Sequence, residues 1–170
     1  MTEVQPTTEV ARRRGVPVEF AQRPMRAIRP VDAEPIYAHP RTQLTRLERN
    51  GLLHRLAHGY YVVVPQDRVG LPWRPDLEVA AAAIGVAAAG AGAAVLMGVT
   101  AARMHQAIPR ALAVAIVATP ERRHDVALRD RDATVHFVQR DTDVLDAEQM
   151  MTELGGCLVT TAEQTVLDLA

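Results

Sequence analysis

The chain has 170 residues, of which 48% are hydrophobic, and its formal net charge is −1. This length is enough for one ordinary domain or two small ones, and the apolar fraction can supply a core. All 19 basic residues are Arg, and the sequence contains neither Lys nor Ser. The composition therefore excludes a phosphate-loop lysine, a Schiff-base amine and a serine nucleophile.

Several features of the sequence predict a cytoplasmic protein. The single cysteine, Cys157, cannot form an intramolecular disulfide or a cysteine metal cluster. The first residues include Glu3 and Glu9 and contain no apolar block of the secretory type. The Ala-rich and Gly-rich stretch at 79–99 is too poor in large apolar residues to favour a bilayer, and it predicts a buried helix. We expect no membrane partner, no metal site and no cofactor.

Charge is distributed unevenly along the chain. Residues 1–75 hold 12 Arg against 7 acidic residues, whereas residues 76–170 hold 7 Arg against 13. A basic N-terminal part is expected of a segment that meets nucleic acid, the alternative being chance scatter around zero. The polar segment QDRVGLPWRP at 66–75 contains the only tryptophan and predicts a linker. We therefore expect two domains, at 1–72 and 73–170.

The first elements are predicted from proline positions and apolar spacing. Residues 1–16, with the run Arg12, Arg13 and Arg14, are expected to form a frayed end or a basic arm. Apolar residues recur at helical spacing over 18–28, which predicts a helix with Pro24 in a first turn or at a kink. The proline-rich stretch that follows allows one short helical turn anchored by Ile36 and Tyr37.

The most informative segment is PRTQLTRLERNGLLHRLAHGYYVVVP at 40–65. Pro40 favours a first helical turn and Asn50-Gly51 favours a helix end, so a helix of about ten residues is predicted between them. Leu44 and Leu47 share one face, and Thr and Arg side chains occupy the other. LLHRL and YYVVV are predicted strands, joined by a turn at 57–59. A helix followed by a hairpin is the layout of a winged helix-turn-helix.

This layout suits DNA. A helix fits the major groove and Arg can bind guanine through two hydrogen bonds, while a hairpin turn can reach phosphate or the minor groove. The predicted DNA-binding residues are Arg41, Thr42, Gln43, Thr45, Arg46, Arg49, Arg55 and His58. The alternative is a solvated Arg-rich helix beside a hairpin. His54 and His58 lie on strand and turn, so metal binding by this pair is not expected.

Residues 73–170 predict a small α/β domain, which makes the fold class α+β. Asp76 is expected to cap a helix from Leu77 to about Ala88, and Thr100 to cap a second helix that Pro109 ends. The remaining predicted elements are strands at 111–118 and 133–139, a helix at 146–154, a turn at Gly155-Gly156, a strand at 157–160, and a helix that starts with a capping box of Thr161 and Gln164. That pattern stops unfinished, so we expect the fold to continue beyond Ala170.

Three blocks carry a resemblance to a known family. LTRLERNGLLHRLAHGYYVVVP, VLMGVTAARMHQAIPRALAVAIVA and VTTAEQTVLDLA occur in this order, and the region from 35 to 170 resembles the AbiEi-type antitoxins of type IV toxin-antitoxin systems, the mycobacterial members above all. The resemblance implies a winged helix that represses its own operon at repeated operator DNA. It also implies a C-terminal domain that neutralises a nucleotidyltransferase-like toxin. The departure from the family is one of length, since members commonly carry further C-terminal helices.

Other functions remain open from the sequence. Six aspartates surround the strand at 133–139, and paired carboxylates can hold Mg²⁺ for phosphoryl transfer. They are Asp125, Asp130, Asp132, Asp141, Asp143 and Asp146. A nuclease of the restriction type needs a lysine beside its acids, so turn aspartates are the favoured interpretation and an enzyme is not expected. The alternatives are an antitoxin that promotes chemical modification of its toxin, and a generic regulator or protein-interaction module. Dimerisation on DNA is left open.

Overall fold

The described part of the chain mixes helices and strands, which confirms the α+β class. It consists of residues 15–170 of a computed structural model. The predicted basic arm at Arg12, Arg13 and Arg14 lies outside the described residues. Over residues 15–170, no helix is both long enough and apolar enough to pass through a membrane.

The N-terminal half folds around a small antiparallel sheet. Its elements are α1 (Val18–Ala21), β1 (Ala27–Ile28), α2 (Pro30–Ala33), α3 (Pro40–Arg49), β2 (Leu53–Ala57) and β3 (Tyr60–Val63). The strand order is β1-β3-β2, so β3 pairs with both neighbours. The predicted helix at 40–49 and the hairpin after it are confirmed. The turn is shorter than predicted, His58 and Gly59 alone, and Gly59 supplies the left-handed backbone with φ of 77°.

The prediction of one helix over 18–28 is wrong. The helix ends at Ala21, and Met25 and Arg26 adopt left-handed φ values of 54° and 51° in a 3₁₀ turn that starts at Pro24. The apolar residues match helical spacing because two of them are buried from other elements. Met25 is buried from the 3₁₀ turn, and Ile28 is buried from β1. A strand is favoured after the turn because its backbone groups pair with β3.

The single helical turn before α3 also forms earlier than predicted. It spans Pro30–Ala33 rather than Ile36 and Tyr37. Pro30 occupies the first helical position, and the Asp32 carboxylate accepts a hydrogen bond of 2.7 Å from the Arg29 backbone N–H. These two local features fix where the turn begins.

The C-terminal half forms a six-stranded mixed sheet with helices packed on it. Its elements are α4 (Leu77–Ala89), β4 (Val95–Leu96), α5 (Gly98–Met104), β5 (Val114–Thr119), β6 (Val126–Ala127), β7 (Thr134–Gln139), β8 (Ala147–Thr152), β9 (Gly155–Thr160) and α6 (Ala162–Leu169). The order is β6-β7-β5-β4-β9-β8, in which β5–β7 and β4–β9 are parallel pairs. The predicted helix from Leu77 and the predicted strands at β5, β7 and β9 are confirmed, although β5 begins at Val114.

The predicted helix at 146–154 is wrong, because this segment is the edge strand β8. AEQMMTEL contains good helix formers, but six residues of it pair with β9, and this tertiary pairing overrides local propensity. The turn prediction at Gly155-Gly156 is wrong for the same reason. Glu153 and Leu154 form the turn, and both glycines lie in β9.

Helix ends in this half follow the predictions only in part. Asp76 occupies the predicted N-cap position of α4, but its side chain makes no capping hydrogen bond. Thr161 Oγ1 accepts from the Gln164 N–H at 3.3 Å, while the Gln164 side chain binds Asp168 instead of closing the capping box. α6 thus begins where predicted, with half of the predicted box.

α5 differs from its prediction at both ends. The helix starts at Gly98, and Thr100 lies buried inside it, where its Oγ1 accepts a hydrogen bond of 2.6 Å from the Ile116 N–H. The helix ends at Met104, before Pro109, and Gln106 takes a left-handed φ of 60°. The Thr100 hydroxyl therefore links α5 to β5 through a hydrogen bond and does not cap the helix.

One of the apolar clusters includes residues of both halves. Leu53 on one face of the small sheet packs in a cluster with Leu44 of α3, while Val62 on the other face belongs to a cluster with Ile84 of α4. The small sheet therefore lies between α3 and α4, and the outer side of α3 faces away from the C-terminal half. The division into two domains stays a prediction.

Candidate nucleic-acid interface

Local sequence features set both ends of α3. His39 occupies the N-cap position and Pro40 the first helical position, while Gly51 takes a φ of 71° just beyond the C-terminus. Leu44 and Leu47 are fully buried against the rest of the N-terminal half. The opposite face of the helix is therefore free to be polar.

The predicted residues of α3 lie mostly on that outer face. Arg41, Thr42, Arg46 and Arg49 are exposed, and Gln43 and Thr45 are half-buried. The Thr45 hydroxyl donates to the Arg41 carbonyl at 2.9 Å, so it is engaged with its own helix. Burial raises the pKa of Tyr37, and the nearby charge of Arg46 opposes that rise.

The two predicted hairpin residues lie together. Arg55 is half-buried on β2, and its guanidinium carbon lies 5.6 Å from the centre of the Tyr61 ring. Its Nη2 lies 3.4 Å from Nδ1 of the exposed His58, and its Nε is buried without a hydrogen-bond partner. Arg55 is thus anchored on the predicted strand, and His58 lies in the turn.

An open groove of about 730 Å³ connects this turn to the start of α3. Its basic lining comes from Arg29, His39, Arg41 and His58, and Glu34 is the acidic side chain in the lining. The structure thus brings Arg41 and Thr42 of α3 to the same groove as His58. Arg49 belongs to the other end of the helix.

Sequence reasoning missed Arg29, His39 and Tyr60 of this groove. The Arg29 guanidinium carbon lies 5.4 Å from the centre of the Tyr60 ring. Their proximity follows from the pairing of β1 with β3, a long-range contact that residue spacing in the sequence does not predict. His39 carried one usable signal, since it directly precedes the proline that starts α3.

A polar junction ties the hairpin to the C-terminal half. His54 Nε2 donates to Asp130 Oδ2 at 2.7 Å, and Arg131 binds both oxygens of the same carboxylate at 2.9 and 3.0 Å. Burial raises the pKa of Asp130, but the hydrogen bonds from Arg131 and His54 outweigh it and leave the pKa below its ordinary value. Trp73 packs edge-on against His54, with ring centres 5.8 Å apart.

The backbone continues this junction. The Arg129 N–H donates to the Leu56 carbonyl at 2.8 Å, and Leu128 forms a β-bridge with Ala57. The Trp73 indole N–H donates to Glu153 at 3.0 Å, which pins the predicted linker to the turn between β8 and β9. Backbone and side-chain hydrogen bonds therefore join the hairpin to the loop at 128–132.

The acidic residues around β7 are engaged in separate local contacts. Asp125 binds His136 Nδ1 at 2.8 Å, Asp141 accepts from the Asp143 N–H at 3.2 Å, and Asp146 accepts from Thr161 at 2.9 Å. The hydrogen bond from His136 holds the pKa of Asp125 below its ordinary value. Across residues 15–170, no group of three or more His, Cys, Asp or Glu side chains is arranged to hold a metal ion.

Comparison of the chain with models of known protein families finds no match, and comparison with curated proteins also finds none.

Proposed function

We propose that this chain is a DNA-binding regulator, in which the N-terminal half is a winged helix-turn-helix and α3 lies in the major groove. One observation carries the proposal: Leu44 and Leu47 of α3 are buried against the rest of the N-terminal half, while Arg41, Arg46 and Arg49 of the same helix are exposed. A helix exposed in this way fits the width of the B-form major groove.

The topology of the N-terminal half supports the proposal. Helix, strand, two helices and a hairpin follow one another, and the first strand pairs with the last to give the order β1-β3-β2. This is the connectivity expected of a winged helix, with α3 as the reading helix and the β2–β3 hairpin as the wing.

The side chains supply the chemistry. Arg46 and Arg49, one turn apart on the exposed face, can each bind the O6 and N7 atoms of guanine or a phosphate. Thr42 can contact a base edge, and Arg41 beside it suits the backbone. His58 at the hairpin turn can contact a phosphate or the minor groove of the DNA outside the major groove that receives α3.

For the biological role we propose an antitoxin that represses its own operon and neutralises a nucleotidyltransferase-like toxin. The three sequence blocks and their resemblance to AbiEi-type antitoxins support this role. Residues 76–170 hold 13 acidic residues against 7 Arg, so the C-terminal half suits a basic partner surface. Co-purification with the product of the adjacent gene tests this part separately from DNA binding.

The decisive experiment measures binding to a labelled duplex taken from immediately upstream of the gene. Arg46→Ala and Arg49→Ala are each expected to weaken operator binding by roughly 10-fold to 100-fold, the cost of about 1–3 kcal/mol for a lost base contact. Arg140→Ala is the matched control, because Arg140 is an exposed arginine of the C-terminal half beyond β7. Unchanged circular dichroism spectra establish that the variants are folded.

Salt separates DNA binding from protein binding. Wild-type affinity is expected to fall steeply between ~50 and ~200 mM salt, because phosphate contacts release counterions, whereas apolar protein contacts show no such slope. Equal affinities for wild type, both α3 variants and the control would overturn the assignment of α3. Absence of any salt-dependent duplex binding would overturn the regulator itself.

A further inference from the structure

We propose that the groove between α3 and the hairpin turn binds a backbone phosphate of DNA, with Arg29 as its cation and His58 as a hydrogen-bond donor. The inference rests on the proposed function and deepens it, since it assigns distinct roles to groove residues outside the α3 face. Arg29 lies directly before α2, at its N-cap position, and it is not among the DNA-binding residues predicted from the sequence.

Arg29 is a positioned cation without a neutralising partner. Its guanidinium lies over the face of Tyr60, which fixes the group while leaving its N–H donors available. The acidic residue closest to it in sequence, Asp32, is already engaged: its Oδ1 pairs with Arg23 Nη2 at 2.8 Å, and its Oδ2 accepts from the Arg29 backbone N–H. Among residues 15–170, Arg29 forms no ion pair. A planar guanidinium held in this state suits a phosphate.

His58 contributes a different kind of group. A guanidinium has donors and no acceptor, so the contact between Arg55 Nη2 and His58 Nδ1 requires the ring nitrogen to accept. Arg55 is therefore a positioning residue, which leaves Nε2 of the ring to donate, and a phosphate oxygen is a suitable acceptor.

The start of α3 completes the groove. Arg41 adds a second arginine to the lining, and the first backbone N–H groups of this ten-residue helix lack partners within the helix. Arg29 and Arg41 outnumber the one acid of the lining, Glu34. The positive end of the helix reinforces the preference for an anion.

The position of the groove favours a DNA strand as the source of that phosphate. Arg41 and Thr42 belong both to its lining and to the exposed face of α3. A duplex whose major groove receives α3 therefore places one strand across the groove. A volume of about 730 Å³, open to solvent, accommodates a length of sugar-phosphate chain as well as the phosphate.

The test uses two variants with different expected signatures. In equilibrium binding from ~50 to ~200 mM salt, Arg29→Ala is expected to reduce the slope of log affinity against log salt by about one, and to weaken operator and unrelated duplexes alike. His58→Ala is expected to weaken binding a few-fold, because one hydrogen bond to a phosphate is lost. Arg140→Ala again serves as the control.

The outcomes are distinguishable from those of the proposed function. If Arg46→Ala and Arg49→Ala weaken binding while Arg29→Ala retains the wild-type affinity and slope, the regulator stands and the groove assignment is overturned. Wild-type affinity in His58→Ala overturns the role assigned to that residue. If wild type binds no DNA, titration of the full chain with pyrophosphate still decides. Saturable shifts of the His58 ring and Arg29 Nε resonances, lost in Arg29→Ala, support the site, and their absence overturns it.

Discussion

Replacing Asp130 with Ala tests the junction between the hairpin and the C-terminal half. The carboxylate accepts from His54 Nε2 at 2.7 Å, from Arg131 Nε at 2.9 Å and from Arg131 Nη2 at 3.0 Å, and its side chain is only 9% exposed. The substitution removes all three hydrogen bonds at once. It also leaves the His54 donor and the Arg131 charge without their partner.

The structure sets the size of the expected loss. Breaking a buried ion pair from one side costs about 3–5 kcal/mol, and a single hydrogen bond to a charged group contributes about 1.5–3 kcal/mol. His54 and Arg131 keep 21% and 15% of their side-chain exposure, so water recovers part of the loss. We expect a decrease of about 2–3 kcal/mol in the free energy of unfolding. At about 2–4 °C per kcal/mol, Tm falls by roughly 4–12 °C.

The effect has a defined pH dependence. The pKa of Asp130 is lower in the folded chain than its ordinary value, so its ionised form stabilises the fold. That contribution is fully present above the unfolded pKa of about 3.9 and is lost as the pH falls through the lower folded pKa. The difference between wild type and Asp130→Ala is therefore constant around pH 7 and shrinks only below about pH 4.

Urea unfolding followed by circular dichroism measures the difference. Asp132→Ala is the matched control, because Asp132 lies two residues away in the same loop and is exposed. Substitutions at such surface positions usually change stability by less than about 0.5 kcal/mol. Equal midpoints for the two variants would refute the reasoning, as would an Asp130→Ala effect that disappears already at pH 6.

Three further predictions concern the core. Thr100→Val keeps the side-chain volume but leaves the Ile116 N–H without its acceptor, so urea unfolding is expected to show a loss of about 1–3 kcal/mol, and a loss under about 0.5 kcal/mol would contradict this. Burial raises the pKa of Cys157 to about 11, so the folded chain at pH 8 should react with a disulfide reagent far more slowly than the urea-unfolded chain. Trp73 fluorescence and circular dichroism should report one coincident unfolding transition, because one apolar cluster includes residues of both halves; two separated transitions would show independent domains.

The sequence predicted α3 and the β2–β3 hairpin well because their signals are local and agree with one another. Pro40, Asn50-Gly51 and Gly59 mark the ends and the turn, and the spacing of Leu44 and Leu47 independently requires the same helix. Where local propensity and packing point to one structure, a single sequence is informative.

The misses share one physical cause, which is pairing between segments distant in sequence. β8 is composed of helix formers yet pairs along its whole length with β9, and β1 exists only because β3 offers it partners. The residues of the candidate site likewise fall into those that local spacing predicts and those that depend on long-range pairing. The exposed residues of α3 lie on one helix and follow from periodicity, whereas the approach of Arg29 to Tyr60 depends on the register of β1 against β3.

The packing of α3 against the small sheet affects how the chain would bind DNA. The small sheet has α3 on one face and α4 on the other, and the hairpin is bonded to the loop at 128–132 through His54, Leu56 and Ala57. The direction of α3 is thus set by packing and not by the length of a linker. A reading surface ordered before it meets its target loses little conformational entropy on binding, so its affinity depends on the contacts themselves. For this reason single-residue changes at Arg29, Arg46 and Arg49 should act independently, each through the contact that it removes.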